Sequence, residues 1–331
     1  MELEGIKALI TGGAGFVGSH LADELLKTAS LVIVYDNFDP FYGGKEENVA
    51  HNLSNPKYKL VRADILDFSL LLSLAKKVDV IFHLAAQPGV RFSVENPQRT
   101  VKVNVDGTLN VLMAAKQAGV RKVVFASSSS VYGNPSYVPM DEEHPRRPTS
   151  PYGASKVAAE EYCRVFNQVY GVNVVSLRYF SVYGPRQRPD QVIRVFAERV
   201  ARGESPVIYG SGEQTRDFTY VMDVVDATIR AAQSDDVEGE VFNIGFGAEV
   251  KIVDLAEKII ELMGAKGKVQ MIFKPAYKGD FPRTLADNRK AGEMLGWRPK
   301  VSLDQGLKLF LAWFNARKSE KGGSRSVSSA L

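Results

Sequence analysis

The chain has 331 residues, 45% of them hydrophobic and 24% charged, which is an ordinary soluble composition with enough length for one large or two smaller domains. Its net charge of +4, from 42 basic and 38 acidic residues, is too small and too dispersed to point to a nucleic acid partner. The single cysteine, Cys163, excludes a disulfide framework and a cysteine metal site, and no apolar run approaches the ~20 residues of a membrane span. The N-terminus enters a strand almost at once, leaving no room for a signal peptide, so a cytoplasmic location is the expectation.

Ile6 to Ile10 reads as a short buried strand, followed by Thr11-Gly-Gly-Ala-Gly-Phe-Val-Gly18 and helical spacing from Ser19 to Lys27. A strand, a glycine turn and a helix in that order suit a pyrophosphate. Gly12 makes the tight turn, Gly15 lets backbone approach the phosphates and Gly18 lets helix pack on strand. The second strand, Leu31 to Tyr35, ends in Asp36, where a carboxylate accepts hydrogen bonds from adenosine ribose hydroxyls. A 2′-phosphate there meets like charge, which favours NAD over NADP. Asn37, not a basic residue, follows Asp36.

Lys59 to Ala63 and Val78 to Leu84 are read as further strands, the first followed by Asp64-Ile65 and the second running into Ala85-Ala86-Gln87. His83, in the second of these, is read as a satisfied core histidine. Val101 to Ala118 is helical, with Asn104 near its start. The alternation of strand and helix is that of a doubly wound α/β sheet, whose carboxyl edge binds ligands.

The apolar strand from Lys122 to Ala126 delivers Ser127 to Ser130. After a loop, Ser150 is a good N-cap, Pro151 suits the first helical position, and Tyr152 and Lys156 share a helix face one turn apart. A phenol with an ordinary pKa of about 10 is a poor base near neutrality, but a neighbouring ammonium and a bound cationic ring favour the phenolate. This is a proton-transfer site without histidine, metal or cysteine.

Val174 to Tyr179 is another buried strand. Beyond it loops lengthen. Gln191 to Arg202 is helical, Pro206 to Gly212 holds a short strand, and Arg216-Asp-Phe-Thr-Tyr-Val-Met-Asp223 leads into a helix to about Ala232. Val241 to Gly245 is a strand, Val253 to Met263 a helix, Val269 to Phe273 extended, Lys278-Gly-Asp280 a turn, and Leu303 to Phe314 a last helix. The expected division is a dinucleotide domain over 1–180, with 217–245 returning to it, and a substrate domain over 181–317. The Ser-, Gly- and Lys-rich stretch 318–331 has no apolar periodicity and reads as a flexible tail.

Together these pieces resemble the extended short-chain dehydrogenase/reductase superfamily, and within it the nucleotide-sugar 4-epimerases. The resemblance rests on the glycine turn, Asp36, Leu84-Ala-Ala, Ser128-Ser-Ser-Val-Tyr-Gly, Tyr152-x-x-x-Lys156 and Arg216-Asp-Phe-x-Tyr-Val-x-Asp, and covers about Ile6 to Arg317. It implies a Rossmann sheet with a smaller α/β substrate domain, retained NAD, a UDP-sugar substrate and a homodimer. It implies Ser128, Tyr152 and Lys156 as catalytic residues, with Lys156 holding the nicotinamide ribose and lowering the Tyr152 pKa. Phe16, Val17 and Asn37 join the glycines and Asp36 around the cofactor. Asp64, Ile65, Leu84, Ala85, Ala86, Asn104 and Tyr179 are placed there too. Gln87, Val90, Arg91, Ser129, Ser130 and Ser181 fall on the sugar side. Tyr209, Arg216 and Asp280 fall at the uridine diphosphate, while Tyr277 stands where the family usually has a second phosphate arginine.

Related dehydratases and decarboxylases carry an acid in the serine motif; Ser129-Ser130 supplies none, which favours simple C4 epimerisation. Phe180-Ser-Val-Tyr-Gly-Pro-x-x-Arg-Pro-Asp190 resembles the UDP-glucuronate 4-epimerases, where the arginine matching Arg188 meets the C6 carboxylate; Arg186 could substitute for it. UDP-glucose and UDP-galactose remain the alternative, and a small Thr284 could admit an N-acetylhexosamine. A non-catalytic NAD-binding sensor is disfavoured by the complete set Ser128, Tyr152 and Lys156.

Overall fold

The structure, a computed structural model, describes residues 3–41, 43, 45–276 and 281–326, with side chains to residue 317. The chain begins β1 (Lys7–Thr11), α1 (Phe16–Leu25), β2 (Leu31–Asp36), α2 (Lys45–Val49), β3 (Tyr58–Arg62), α3 (Phe68–Ala75) and β4 (Val80–His83). Next come α4 (Val90–Glu95), α5 (Pro97–Val101), a π-helical segment (Lys102–Asp106), α6 (Gly107–Ala118), β5 (Lys122–Ser128), α7 (Pro151–Tyr170), β6 (Val174–Tyr179) and β7 (Ser181–Tyr183). The remainder is α8 (Val192–Ala201), β8 (Val207–Tyr209), β9 (Thr215–Tyr220), α9 (Val221–Gln233), β10 (Val241–Ile244), β11 (Glu249–Lys251), α10 (Ile252–Leu262), β12 (Ile272–Lys274), α11 (Arg289–Leu295) and α12 (Leu303–Ser326).

Seven strands form one parallel sheet in the order β10-β6-β5-β4-β1-β2-β3. Its strands are buried apolar runs such as Val80–His83, because helices cover both faces. One face packs on α1 and α9 through Leu21, Leu25, Val224 and Ala231; the other packs on α3, α6 and α7 through Leu71, Leu112 and Phe166. The strand order reverses between β1 and β4, which opens the binding crevice there. The sheet and its helical layers are the Rossmann arrangement expected from the sequence.

The second half departs from and returns to this sheet. β10 pairs with β6, so the segment ending at Ile244 completes the sheet. The three-stranded sheet β11-β9-β7 and the pair β12-β8 stand apart, and Phe196, Leu255 and Phe310 form a separate core among α8, α10 and α12.

Three expectations need adjustment. The first helix begins at Phe16 rather than Ser19, because Gly15 occupies the N-cap position. The helix read as continuous from Val101 is interrupted by the π-helical turn that carries Asn104. The stretch from Lys318, read as a flexible tail, is helical backbone to Ser326, since extending a helix already packed at Leu307 and Phe310 needs no new nucleus. The expected turn at Lys278-Gly-Asp280, with Tyr277, lies outside the described residues, as do residues 327–331.

Candidate functional site

The glycine turn fits only because its side chains are absent. Gly12 has φ +69, and a Cβ there would lie 2.7 Å from the Ala85 backbone N; a Cβ on Gly18 would lie 2.4 Å from the Gly12 carbonyl. The turn therefore lies directly against the exit of β4 and the first turn of α1. Gly15 caps α1 without a side-chain hydrogen bond, leaving the helix N-terminus to an anion. At the end of β2, Asp36 Oδ2 accepts from Ala14 N at 3.1 Å, and Oδ1 accepts from Phe38 N at 2.8 Å and Lys45 Nζ at 3.2 Å. Asn37 donates to Asp64 Oδ2 at 2.9 Å. One continuous cavity runs from this end, walled by Gly12, Gly15, Phe16, Val17, Gly18, Asp64, Ile65, Leu84, Ala85 and Ala86, to the serines.

Asn104 lies behind this wall rather than in it. It accepts from Gln87 N at 2.7 Å and donates to the Gln87 carbonyl at 3.2 Å and Ser155 Oγ at 2.9 Å. Its role in the structure is to clamp the β4 exit loop onto α7. His83 is sandwiched between Thr11 (2.7 Å) and Thr108 (3.0 Å), and burial, aided by the nearby Lys156 charge, lowers its pKa to about 3. It is a neutral core histidine.

β5 delivers the serines and α7 the tyrosine. Ser128 Oγ accepts from Ser130 N at 3.1 Å, which sets the turn after the strand. Ser150 caps α7 by accepting from Gly153 N at 3.1 Å, so Tyr152 falls in the first turn. Burial raises the Tyr152 pKa, while the Arg188 charge and a bond with Ser128 pull it back. Lys156 is buried, donates to the Ala126 carbonyl at 2.7 Å and sits 4.8 Å over the Phe125 ring. Burial lowers its pKa to about 8. Arg188 is a cation opposing burial at the phenol, and Lys156, one helical turn after Tyr152, is held against the end of β5.

A buried ion-pair network backs these groups, and the sequence reading missed it. Arg178 on β6 forks onto Glu160 on α7 (Nε–Oε1 2.9 Å, Nη2–Oε2 2.8 Å), and Ser127 donates to Glu160 Oε1 at 2.5 Å. Arg178 also donates to the Tyr132 hydroxyl at 2.8 Å, which donates to Asn243 on β10 at 2.6 Å. Glu160 thereby ties both β6, through Arg178, and the serine strand β5, through Ser127, to α7 one turn beyond Lys156. A glutamate one turn after the lysine on an apolar helix face was the available signal.

At the other end of the cavity stand Ser129, Ser130, Tyr179, Ser181, Gln87, Val90, Arg188, Arg216 and Thr284. Arg188 forks onto Asp190 (2.9 and 2.8 Å). Arg186 pairs with Asp23 on α1 at 2.8 Å, outside the cavity wall, so it is no substitute for Arg188 in this conformation. Arg216 lies 4.7 Å over the Phe281 ring. Buried Gln87 Nε2 has no hydrogen-bond partner among the described residues. Arg91 and Tyr209 meet each other, guanidinium 5.2 Å over ring, and neither walls the cavity. Asp280 lies outside the described residues. The acids on the wall are Asp36, Asp39 and Asp64: Asp36 and Asp64 stand at the glycine-turn end, Asp39 pairs with Arg99, and the serine turn beside Tyr152 carries hydroxyls and no carboxylate.

The switch-point crevice, the glycine turn and the tyrosine–lysine helix place the chain among the extended short-chain dehydrogenases/reductases. Residues 9–310 match the model of the GDP-mannose 4,6 dehydratase family, and the chain belongs to that family. It is 40% identical over 314 residues to UDP-glucose 4-epimerase of Mycolicibacterium smegmatis, covering 93% of this chain and 98% of that one. It is 37% identical over 336 residues to UDP-glucuronic acid decarboxylase 2 of Arabidopsis thaliana, covering 99% of this chain and 73% of that one. The fold matches UDP-glucuronic acid 4-epimerase from Bacillus cereus, solved with UDP-glucuronic acid and NAD, with a TM-score of 0.90 and 35% identity, covering 94% and 99% of the two chains.

Proposed function

We propose that this chain is an NAD-dependent UDP-sugar 4-epimerase, with UDP-glucuronate and UDP-galacturonate as its substrate pair. The observation that carries the epimerase reading is the set of hydroxyls Ser128, Ser129 and Ser130 beside Tyr152 on the cavity wall, a turn that holds no carboxylate. Elimination of water needs a second acid/base at the sugar, and the described residues offer hydroxyls there instead. The decarboxylase relatives make this the reaction to test against.

The residues present fit a dinucleotide. The α1 N-terminus, free of a side-chain cap, faces the cavity for the pyrophosphate, and Asp36 ends β2 for the adenosine ribose. NAD bound there supplies the acceptance of hydride from the sugar C4 and its return to the opposite face. Tyr152, as phenolate, takes the C4 hydroxyl proton and gives it back after the 4-keto sugar has turned. Ser128 holds the same oxygen. Burial raises the Tyr152 pKa, and the Arg188 charge and the Ser128 bond oppose that rise; Lys156 holds the nicotinamide ribose while anchored at Ala126. Arg216, stacked on Phe281, meets the diphosphate.

Arg188 supports the uronate choice, because a guanidinium at the sugar end suits a C6 carboxylate. The second reading is a UDP-glucose/UDP-galactose epimerase, favoured by the Mycolicibacterium relative; small, buried Thr284 on the wall would then leave room for an N-acetyl group. The homodimer and cytoplasmic location belong to the same proposal. The test is chromatography of products from UDP-glucuronate, UDP-glucose and UDP-N-acetylglucosamine, each incubated separately. Uronate epimerisation alone supports the first choice. Turnover of neutral sugars alone replaces it with the second.

A further inference from the structure

Arg216 and Asp217 are neighbours on β9, so their side chains leave the strand on opposite faces. Arg216 walls the cavity, and Asp217 is fully buried behind it. The Asp217 carboxylate takes three backbone N–H groups: Oδ1 accepts from Phe246 at 2.8 Å, and Oδ2 accepts from Gly247 at 2.9 Å and Ala286 at 3.0 Å. Its own backbone N donates to Thr284 Oγ1 at 3.2 Å. These partners come from two separate stretches. Phe246 and Gly247 follow β10, the strand that completes the large sheet. Thr284 and Ala286 belong to residues 281–287, which run beside β9: Thr215 N donates to the Pro282 carbonyl at 2.9 Å, and Thr284 N to the Thr215 carbonyl at 3.3 Å. The same stretch continues to the loop between the serine turn and α7, where Met140 N donates to the Leu285 carbonyl and Asp287 N to the Met140 carbonyl, both at 2.8 Å.

One buried carboxylate therefore fastens the exit of the large sheet, strand β9 and the stretch carrying Phe281 and Thr284. Phe281 and Thr284 wall the cavity together with Arg216, whose guanidinium lies 4.7 Å over the Phe281 ring. Bonds to an ionised acceptor are stronger than neutral ones, and removing that acceptor leaves buried N–H groups unpaired. The spacing of these three wall residues thus depends on a group that does not itself reach the cavity. We infer that Asp217 is a positioning residue for substrate binding: it holds Arg216, Phe281 and Thr284 at the spacing that grips the diphosphate of a nucleotide sugar. The inference rests on the nucleotide-sugar reading, but on neither the identity of the sugar nor the reaction that follows.

The experiment is isothermal titration calorimetry of UDP into the full chain carrying its NAD, for the wild type and Asp217→Asn, with product assays on the same samples. The asparagine side chain has nearly the same shape but a single acceptor oxygen, and its amide N–H groups would face backbone N–H groups. UDP affinity should fall by about tenfold or more, and the KM for the sugar nucleotide should rise by a similar factor. The kcat at saturation and the bound NAD should each change by less than about threefold. A fall in kcat with UDP affinity unchanged overturns the inference. So does an equal loss of UDP and NAD, which would make Asp217 a general structural tie. Wild-type protein that binds no UDP overturns the nucleotide-sugar reading and the inference with it, whereas UDP bound equally by wild type and variant sinks the inference alone. Hydrogen–deuterium exchange on the wild type decides the matter even if Asp217→Asn does not fold. The amides of Phe246, Gly247 and Ala286 should exchange slowly, and UDP should slow them further while added NAD⁺ does not. Exchange at these amides that ignores UDP contradicts the coupling.

Discussion

Arg188→Met separates the two things that Arg188 can do. The guanidinium faces the sugar end of the cavity and forks onto Asp190 through Nε and Nη2, so one edge is already committed. A charge-assisted contact from the guanidinium to a C6 carboxylate is worth ~1.5–3 kcal/mol. Its loss lowers kcat/KM for UDP-glucuronate by about 10- to 100-fold relative to UDP-glucose. Arg188 also lowers the Tyr152 pKa, and that effect is common to every sugar. In the variant the ascending limb of the pH–rate profile should therefore move to higher pH for both substrates. The ratio of kcat/KM values, measured by coupled product analysis, cancels the shared loss. An unchanged ratio with a shifted pH profile would refute the carboxylate contact and leave Arg188 acting through Tyr152 alone.

Other outcomes follow from the same geometry. Tyr152→Phe should lose about 10²- to 10⁴-fold in kcat while still binding NAD⁺ in a fluorescence titration; retention of turnover would displace Tyr152 as the base. Glu160→Ala leaves the Arg178 charge buried without its fork and should cost about 3–5 kcal/mol in denaturant melts, whereas replacing both partners with apolar residues of similar volume should cost less. His83, whose pKa falls from 6.5 to about 3 on folding, binds a proton in the unfolded chain only. Stability should therefore fall as pH drops below 6.5 towards 3. Denaturation of His83→Asn should lack ~1.4 kcal/mol per pH unit of that slope within the window; an unchanged slope contradicts a neutral buried His83.

Much of the fold was legible because its signals are local. The β1 run, the glycine turn and Asp36 are contiguous in sequence, and the parallel strands are apolar along their whole length. Ser150, Pro151, Tyr152 and Lys156 announce α7 within its first turns. What escaped the sequence is what depends on long-range closure. Arg178 on β6 meets Glu160 on α7, and Ser127 on β5 meets the same carboxylate. Asn104 was assigned to the cofactor wall from its place in a motif, but the π-helical turn directs its amide to the loop at Gln87. Asp217 is a further case. It accepts from Phe246, Gly247 and Ala286 N at 2.8–3.0 Å, fixing the loops beside Thr284, and burial raises its pKa to about 6. Nothing in its own motif identifies those partners.

The central claim is that the hydroxyl turn Ser128 to Ser130 beside Tyr152 inverts C4 and leaves the carbon skeleton whole. It is tested most directly by incubating the purified chain with UDP-glucuronate and UDP-glucose, without added NAD⁺, and following products by chromatography with mass spectrometry. A C4 epimer of unchanged mass is the predicted product. A product lighter by CO₂ or by water would contradict the account, because it would require an acid/base that the serine turn does not supply.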